Sequence, residues 1–286
     1  MRVAASWSGG KDSCLACYEA ILKGFEVSNL LNFVFKDVSK WSPRKVSNLL
    51  NFVFKDVSRW SPRKVSNLLN LFFKDVSKWT LHKADPEVIA MQAQAMEIPI
   101  VQRETAWDEF EGQFKSTIRR LDPTDVEGVV WGIVSPHYPV DSSEKLRQYS
   151  ILEAQEDWIR RVCSELRIKP ITPLWGRDPE QNLVDFVDKG FEAIVVVVNA
   201  DLGEEWLGRK IDHNFLQDIR RLKRERNIHV CGQLGEYHTL VTDGPLFKKR
   251  LEVLQSKKVS RDNYLFLDIS KVELIEKAEM QKDDSS

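Results

Sequence analysis

A chain of 286 residues, 42% hydrophobic and 30% charged, has the make-up of a folded soluble protein rather than a disordered or fibrous one. Lysine and arginine (42) nearly cancel aspartate and glutamate (43), so no global positive field favours nucleic acid, and the basic run Arg220–Arg226 reads as a solvated helix face. The longest apolar run, Ala193–Val198, is far short of the roughly 20 residues of a membrane span, the amino terminus turns polar too soon for a signal peptide, and the cysteines give no disulfide framework. A cytoplasmic protein without a membrane partner is expected.

Arg2–Trp7 is a short, mostly apolar strand. It runs into Ser8-Gly-Gly-Lys-Asp-Ser13, after which Leu15, Tyr18, Ile21 and Leu22 recur at helical spacing over Cys14–Lys23, and Gly24 ends the helix. Cys14 and Cys17 form a C-x-x-C, but Cys163 and Cys231 stand alone, so packing in the core is the expected role rather than a thiolate metal site.

Next comes an internal repeat over 27–83. Val27–Lys45, Val46–Lys64 and Val65–Lys83 are copies of a 19-residue unit; the first two differ only at Lys40 versus Arg59, and the third differs from the second at six positions. Three units are few for a solenoid, and the near-identity points to tandem duplication of one strand and its polar turn. A Rossmann-like sheet needs one strand here. Copy one follows the first helix and copy three leads into the next, and either can supply it, with the surplus expected as a hairpin or edge extension.

Pro86–Met96 reads as a helix, Ile98–Glu104 as a strand, Trp107–Arg120 as an amphipathic helix, and Gly128–Val134 as an apolar strand buried on both faces. Pro136–Arg147 is a polar loop, Ile151–Leu166 a helix, and Lys169–Trp175 a fifth strand. This alternation predicts right-handed parallel crossovers and an α/β domain over 1–175. Beyond Gly176 the pattern changes to a helix at Asn182–Lys189, a buried strand at Ala193–Asn199, a helix at Asp212–Arg226, and strand-like stretches Val230–Thr242, Phe247–Ser256 and Tyr264–Ile275. A smaller α+β domain with a polar tail is expected over 176–286.

Two stretches carry chemistry. The segment Ser8, Gly9, Gly10, Lys11, Asp12, Ser13 lacks the G-x-x-x-x-G-K-S/T spacing of the Walker loop but shares its physics. Two glycines let the backbone approach an anion, the helix aims free N–H groups and its positive end there, Lys11 adds charge, and Ser8 and Ser13 add hydroxyls. Asp12 beside bare phosphate implies a Mg²⁺ partner or an internal hydrogen bond. In the second stretch, Cys231–Phe247, an extended chain would set Glu236 and His238 on one face and Tyr237 and Thr239 on the other. A carboxylate beside an imidazole can orient an amine, exchange its protons or bind a cation; the bare pair fits a surface salt bridge equally well.

Ser8–Ser13 resembles the PP-loop of N-type ATP pyrophosphatases, which implies a Rossmann-like sheet of the adenine nucleotide alpha-hydrolase type and use of ATP. Gly235-Glu-Tyr-His-Thr239, followed by Asp243-Gly-Pro-Leu-Phe247, closely resembles the diphthine–ammonia ligase family. Pro173-Leu-Trp-Gly-Arg-Asp178 and Trp206-Leu-Gly-Arg209 are similar to segments of that family, in the same order. The resemblance implies an ATP-dependent amide ligase that converts diphthine on elongation factor 2 to diphthamide with ammonium, releasing AMP and pyrophosphate through an acyl-adenylate. On that reading Ser8–Ser13 hold ATP, Lys11 and Mg²⁺ offset the phosphate charge with Asp12 on the metal, and Lys11, Asp12, Glu236 and His238 are catalytic. Gly235, Glu236, Tyr237, His238, Thr239, Arg177 and Arg209 would meet substrate. Gln233-Leu234 stands where the family pattern usually carries Glu-Gly. Alternatives are a PP-loop enzyme that modifies tRNA and a catalytically degenerate ATP-binding protein. Oligomeric state is not legible in the sequence.

Overall fold

The computed structural model describes residues 1–35, 85–106, 109–121, 126–135, 143–226, 228–233, 235–261 and 263–277. Five strands among them, β1 (Arg2–Ser6), β2 (Glu26–Phe35), β3 (Ile100–Thr105), β4 (Gly128–Val130) and β5 (Lys169–Ile171), pair in the order β3-β2-β1-β4-β5. Every pairing is parallel. The helices between them are α1 (Lys11–Leu22), α2 (Pro86–Met96), α3 (Phe110–Arg120) and α4 (Ser143–Leu166). The chain winds outward from β1 to β3, then returns to β4 on the other side of β1. The carboxyl end of β1 is therefore a topological switch point, where open α/β sheets bind ligands.

The first repeat copy is the sheet strand. Its Val27–Leu31 pair with β1 and its Leu30–Phe35 with β3, and Leu30 and Leu31 are buried. The second and third copies, and the expected hairpin or edge extension, lie outside the described residues.

After α5 (Pro179–Asp188), four strands form an antiparallel sheet: β6 (Glu192–Asn199), β7 (Tyr237–Asp243), β8 (Lys249–Arg261) and β9 (Tyr264–Glu276), in the order β7-β6-β9-β8. A 3-10 turn, Glu204–Trp206, and α6 (His213–Arg226) lie between β6 and β7. Local chemistry sets several boundaries. Asp85 and Asp178 cap α2 and α5 by accepting from Glu87 N and Glu180 N, each with proline at the next position.

One face of the parallel sheet packs on α3 and α4 through Phe114, Trp131, Trp158 and Ile159, with Trp131 and Trp158 edge to face at 5.7 Å between centroids. On the other face Cys14, Leu15, Ala16 and Cys17 of α1 and Val88, Ile89 and Ala93 of α2 join one continuous core with Val195, Val197, Tyr237 and Leu240 of the second sheet. Lys248 N donates to Ala95 O at 2.7 Å, tying that sheet to α2.

Several boundaries differ from the sequence reading. Helix α4 starts at Ser143, inside the expected Pro136–Arg147 loop. Strands β4 and β5 keep three residues each, because the chain after Val130 turns from the ladder to pass α1, although Trp131–Ser135 stay buried apart from Gly132. Strand β7 begins at Tyr237 rather than Val230, since Gly232 (φ 73°) and Gly235 (φ 86°) take left-handed backbone that breaks an extended run.

Candidate functional site

The glycine loop caps α1. Gly10 is the N-cap residue, so the helix begins at Lys11, earlier than the apolar spacing suggested. Gly9 has φ +80°, and a Cβ there would lie 2.2 Å from Ile89 Cδ1 and 2.7 Å from Gln92 Oε1; only glycine lets α2 approach. Gly132 plays the same part opposite, because a Cβ on it would fall 2.6 Å from Ser13 N. The serines close the loop on itself: Ser13 Oγ donates to Gly10 O at 2.9 Å, and the two hydroxyl oxygens, of Ser8 and Ser13, are 3.2 Å apart. The first turn of α1 gives the loop the positive helix end that favours an anion.

Sequence reasoning missed the residue that holds this loop against the second sheet. Gln92 of α2, fully buried, accepts from Trp7 Nε1 at 3.0 Å and donates to Gly9 O at 3.0 Å and Val241 O at 2.7 Å. Val241 N also donates to Gly9 O at 3.0 Å, and Lys11 N donates to Thr239 Oγ1 at 3.0 Å. The signal was in the helix spacing: Ile89, Gln92 and Met96 share the inward stripe, and a glutamine in an apolar stripe must find partners.

The Lys11 ammonium is 4% exposed with the rest of its residue. It donates to Cys231 O at 2.6 Å and to Asp12 Oδ2 at 2.8 Å, and it lies 5.2 Å from the centre of the Tyr237 ring. Asp12 Oδ2 also accepts from Gln233 Nε2 at 2.9 Å. This is the internal hydrogen bonding that the sequence offered as one explanation of Asp12. Leu234 lies outside the described residues.

The stretch before β7 folds back as a buried turn. Glu236 Oε1 accepts from His229 N at 2.6 Å, and His229 Nδ1 accepts from Cys231 N at 3.0 Å. Burial, followed by the nearby positive charges of Lys11 and Lys223, brings the His229 imidazole down to about 3, against a hydrogen bond with the Ser135 backbone that raises it. It is neutral, and the bond to Nδ1 puts its proton on Nε2. Tyr237 Oη donates to Val230 O, and Cys231 Sγ donates to Pro179 O at 3.0 Å.

The second stretch is therefore brought to the loop by Tyr237 and Thr239, which share a face of β7 and both meet Lys11. His238 is opposite Val197 in the β6–β7 ladder. Glu236 precedes the strand, so the alternation expected to align it with His238 does not apply; its carboxylate turns to His229. Gly235 N donates to Gly232 O at 3.1 Å. The two arginines have carboxylate partners of their own. Arg177 pairs with Asp185 and, at 3.6 Å, with Glu19. Arg209 pairs with Asp218 at 2.6 Å and stacks on Trp206 at 4.6 Å.

Among the described residues no cluster of three His, Cys, Asp or Glu side chains could hold a metal. Asp12, one-fifth exposed and bonded through Oδ2, fits Mg²⁺ only as one oxygen on an ion held mainly by nucleotide phosphates. The thiols are unsuited to nucleophilic work: burial pushes Cys17 up to about 12 and Cys14 well above its ordinary value, Cys14 with a further rise from Cys17. No helix among the described residues is long and apolar enough to cross a membrane.

A phosphate-type loop at the switch point of a 3-2-1-4-5 parallel sheet defines a Rossmann-like nucleotide-binding α/β protein. The family follows from comparison with known proteins. The model of the diphthamide synthase N-terminal domain matches residues 1–53, and that of the diphthamide synthase C-terminal domain matches residues 178–275. A diphthine–ammonia ligase of Bos taurus is 24% identical over 293 residues, covering 96% of this chain and 91% of that protein. That of Mus musculus is 26% identical, with 97% and 94% covered; that of Schizosaccharomyces pombe is 30% identical over 60% of this chain and 28% of its own. The chain belongs to the diphthamide synthase family.

Proposed function

We propose that this chain is an ATP-dependent carbon–nitrogen ligase that converts diphthine on elongation factor 2 to diphthamide, with ammonium as nitrogen donor and AMP and pyrophosphate as products. The observation that carries the reading is the joining of two distant segments: the glycine loop at the switch point and the Gly235–Thr239 stretch meet at Lys11, within a family whose relatives bear that name. On this reading the diphthine carboxylate attacks the α-phosphate of ATP, pyrophosphate leaves, and ammonia displaces AMP from the acyl-adenylate.

The chain's own residues have definite tasks in this scheme. The Ser8–Ser13 loop binds the phosphates with its backbone and hydroxyls, and Lys11 offsets the charge that develops on the leaving pyrophosphate. Mg²⁺ bound with the nucleotide would neutralise phosphate charge, Asp12 supplying one oxygen. Gln92 acts through the loop, fixing Gly9 against β7. Glu236 positions the His229–Cys231 turn over the site, and His238 is assigned to the substrate side with Gly235, Tyr237 and Thr239. Arg177 and Arg209 are ion-paired and serve substrate only if those pairs open. Reaction in the cytoplasm is part of the proposal. The raised Cys14 and Cys17 thiols speak against the thiolation chemistry of a tRNA-modifying enzyme.

The test is direct. Purified protein is incubated with ATP, Mg²⁺, ammonium and diphthine-bearing elongation factor 2, and the mass of the modified histidine is measured together with AMP. Conversion of carboxylate to amide with equimolar AMP is expected. ATP binding without AMP would instead mean a degenerate member of the family.

A further inference from the structure

The surroundings of the Lys11 head group have a chemistry of their own. An alkylammonium is held there by a backbone carbonyl (Cys231 O, 2.6 Å), a carboxylate oxygen (Asp12 Oδ2, 2.8 Å) and the face of an aromatic ring (Tyr237, 5.2 Å). Those groups satisfy a cation with several N–H donors and no acceptor. Beyond the first contacts the neighbourhood is negative. Burial chiefly pushes the Cys231 thiol up, and Asp12, Glu236 and Asp178 push it further, while Lys11 pulls it down. Lys223 reaches toward this region from α6 but is paired with Glu180 at 3.4 Å.

Lys11 also roots in the first turn of α1, next to the loop that would receive phosphate. Its flexible stem can carry the charge to a phosphate oxygen, and a charge-assisted bond there is stronger than one to a neutral carbonyl. Once Lys11 leaves, the Cys231 carbonyl and the Tyr237 ring lose their cation, and Asp12 Oδ2 keeps only the neutral Gln233 amide while its other oxygen stays available to Mg²⁺; buried acceptors left without a donor are costly. A small cation with N–H donors restores the balance.

We propose that the cage of Cys231 O, Asp12 Oδ2 and the Tyr237 ring is the ammonium-binding site, occupied by Lys11 at rest and opened when nucleotide draws Lys11 away. Its use for an ammonium substrate rests on the ligase reading; the cage itself does not. The arrangement makes binding ordered: ATP first, ammonium second. It also keeps the nitrogen donor out until the phosphates that activate the carboxylate are in place.

The experiment needs no turnover. Melting temperatures of wild-type protein and Lys11→Ala are measured in ammonium chloride, potassium chloride and sodium chloride at equal ionic strength, with and without α,β-methylene ATP. Lys11→Ala is expected to be stabilised by ammonium selectively and without nucleotide, since its cage has lost the resident cation. Wild type is expected to respond only with the analogue present, its ammonium affinity rising about ten-fold or more. Lys11→Ala/Asp12→Asn should lose the response. Equal responses to ammonium and sodium, or to ammonium and potassium, would overturn the proposal. If Lys11→Ala does not fold, the wild-type arm decides alone, and no ammonium response with the analogue overturns it. Selective ammonium binding without any amide product on elongation factor 2 would sink the ligase reading and leave the cage standing; amide formation without selective binding would sink the cage alone.

Discussion

Two lysines in this protein are ion-paired in opposite settings. Lys115 on α3 bonds Glu111 and Glu165, each at 2.5 Å. Glu111 also pairs with Arg161 of α4 at 2.6 Å, in a network whose members are 17–45% exposed. Water and salt screen such a network, and it joins two helices at modest gain. Lys11 instead sits with a side chain 5% exposed beside an Asp12 side chain 19% exposed, backed by a carbonyl and a ring. A charge kept out of water gains little net stability over an apolar side chain of the same shape. On the proposed reading the exposed network serves stability, and the buried lysine at the end of β1 serves the site.

The largest effect expected from breaking this contrast is on turnover. Lys11→Ala should lower the rate of AMP formation by about 10²–10³-fold, the usual scale for removing a charge-stabilising group, while Lys115→Ala leaves it at the wild-type value. Equal losses in initial-rate assays would erase the distinction.

Next comes the clamp beneath the loop. Gln92→Leu removes both donors and the acceptor that serve Gly9 O, Val241 O and Trp7 Nε1, all buried, and should cost about 3 kcal/mol in urea unfolding. A change under about 0.5 kcal/mol would show the loop to be held by Val241 N and Thr239 Oγ1 without the glutamine.

Acid should separate the two regions by pH window. His229 is neutral when folded, its pKa down from 6.5 to about 3 chiefly through burial. Its contribution is fully present above pH 6.5. As pH falls from there toward 3 the unfolded chain takes up a proton that the folded one refuses, and stability drops by a few kcal/mol. Glu111 is lowered to about 2, mainly by its hydrogen bond to Arg161 against the opposing effect of burial, with Lys115 and Trp158 assisting. Its contribution is present above pH 4.5 and is lost as pH falls through 2. Unfolding free energy measured from pH 7 to 5 should therefore decline in wild type and flatten in His229→Gln, and a decline of the same size in the variant would contradict the assignment.

Smaller still, Glu111→Gln should cost about 1 kcal/mol or less at neutral pH, with turnover unchanged. Deleting Val46–Lys64 should leave the urea transition cooperative, because β2 is supplied by the first copy; loss of cooperativity would make the second copy structural.

The readable parts of this molecule were those with short-range signals. The strand, glycine pair and helix at the amino terminus announce themselves because turn chemistry and helical spacing are local. The alternation over 86–171 gives the parallel sheet for the same reason, though Ser143 begins its helix inside a stretch that reads as loop. The Gly235–Thr239 stretch was visible as a motif but not as geometry. Its Glu236 binds a backbone N–H seven residues back, and no strand period describes that. Which repeat copy enters the sheet depended on pairing with β1 and β3, a long-range choice that near-identical copies cannot encode. Gln92 and His229 are held by partners far away in sequence or in a buried turn, and only the polar residue in the α2 stripe left a trace. Gln233 stood out as a departure from the family pattern, and its amide donates to Asp12 in the structure.

In the proposed reaction the diphthine carboxylate is the group adenylated at this loop. The most direct measurement labels both oxygens of that carboxylate with ¹⁸O and analyses the nucleotide product by mass spectrometry. One ¹⁸O transferred to AMP, with the other retained in the amide, is the predicted result. Unlabelled AMP, or ADP in its place, would contradict it.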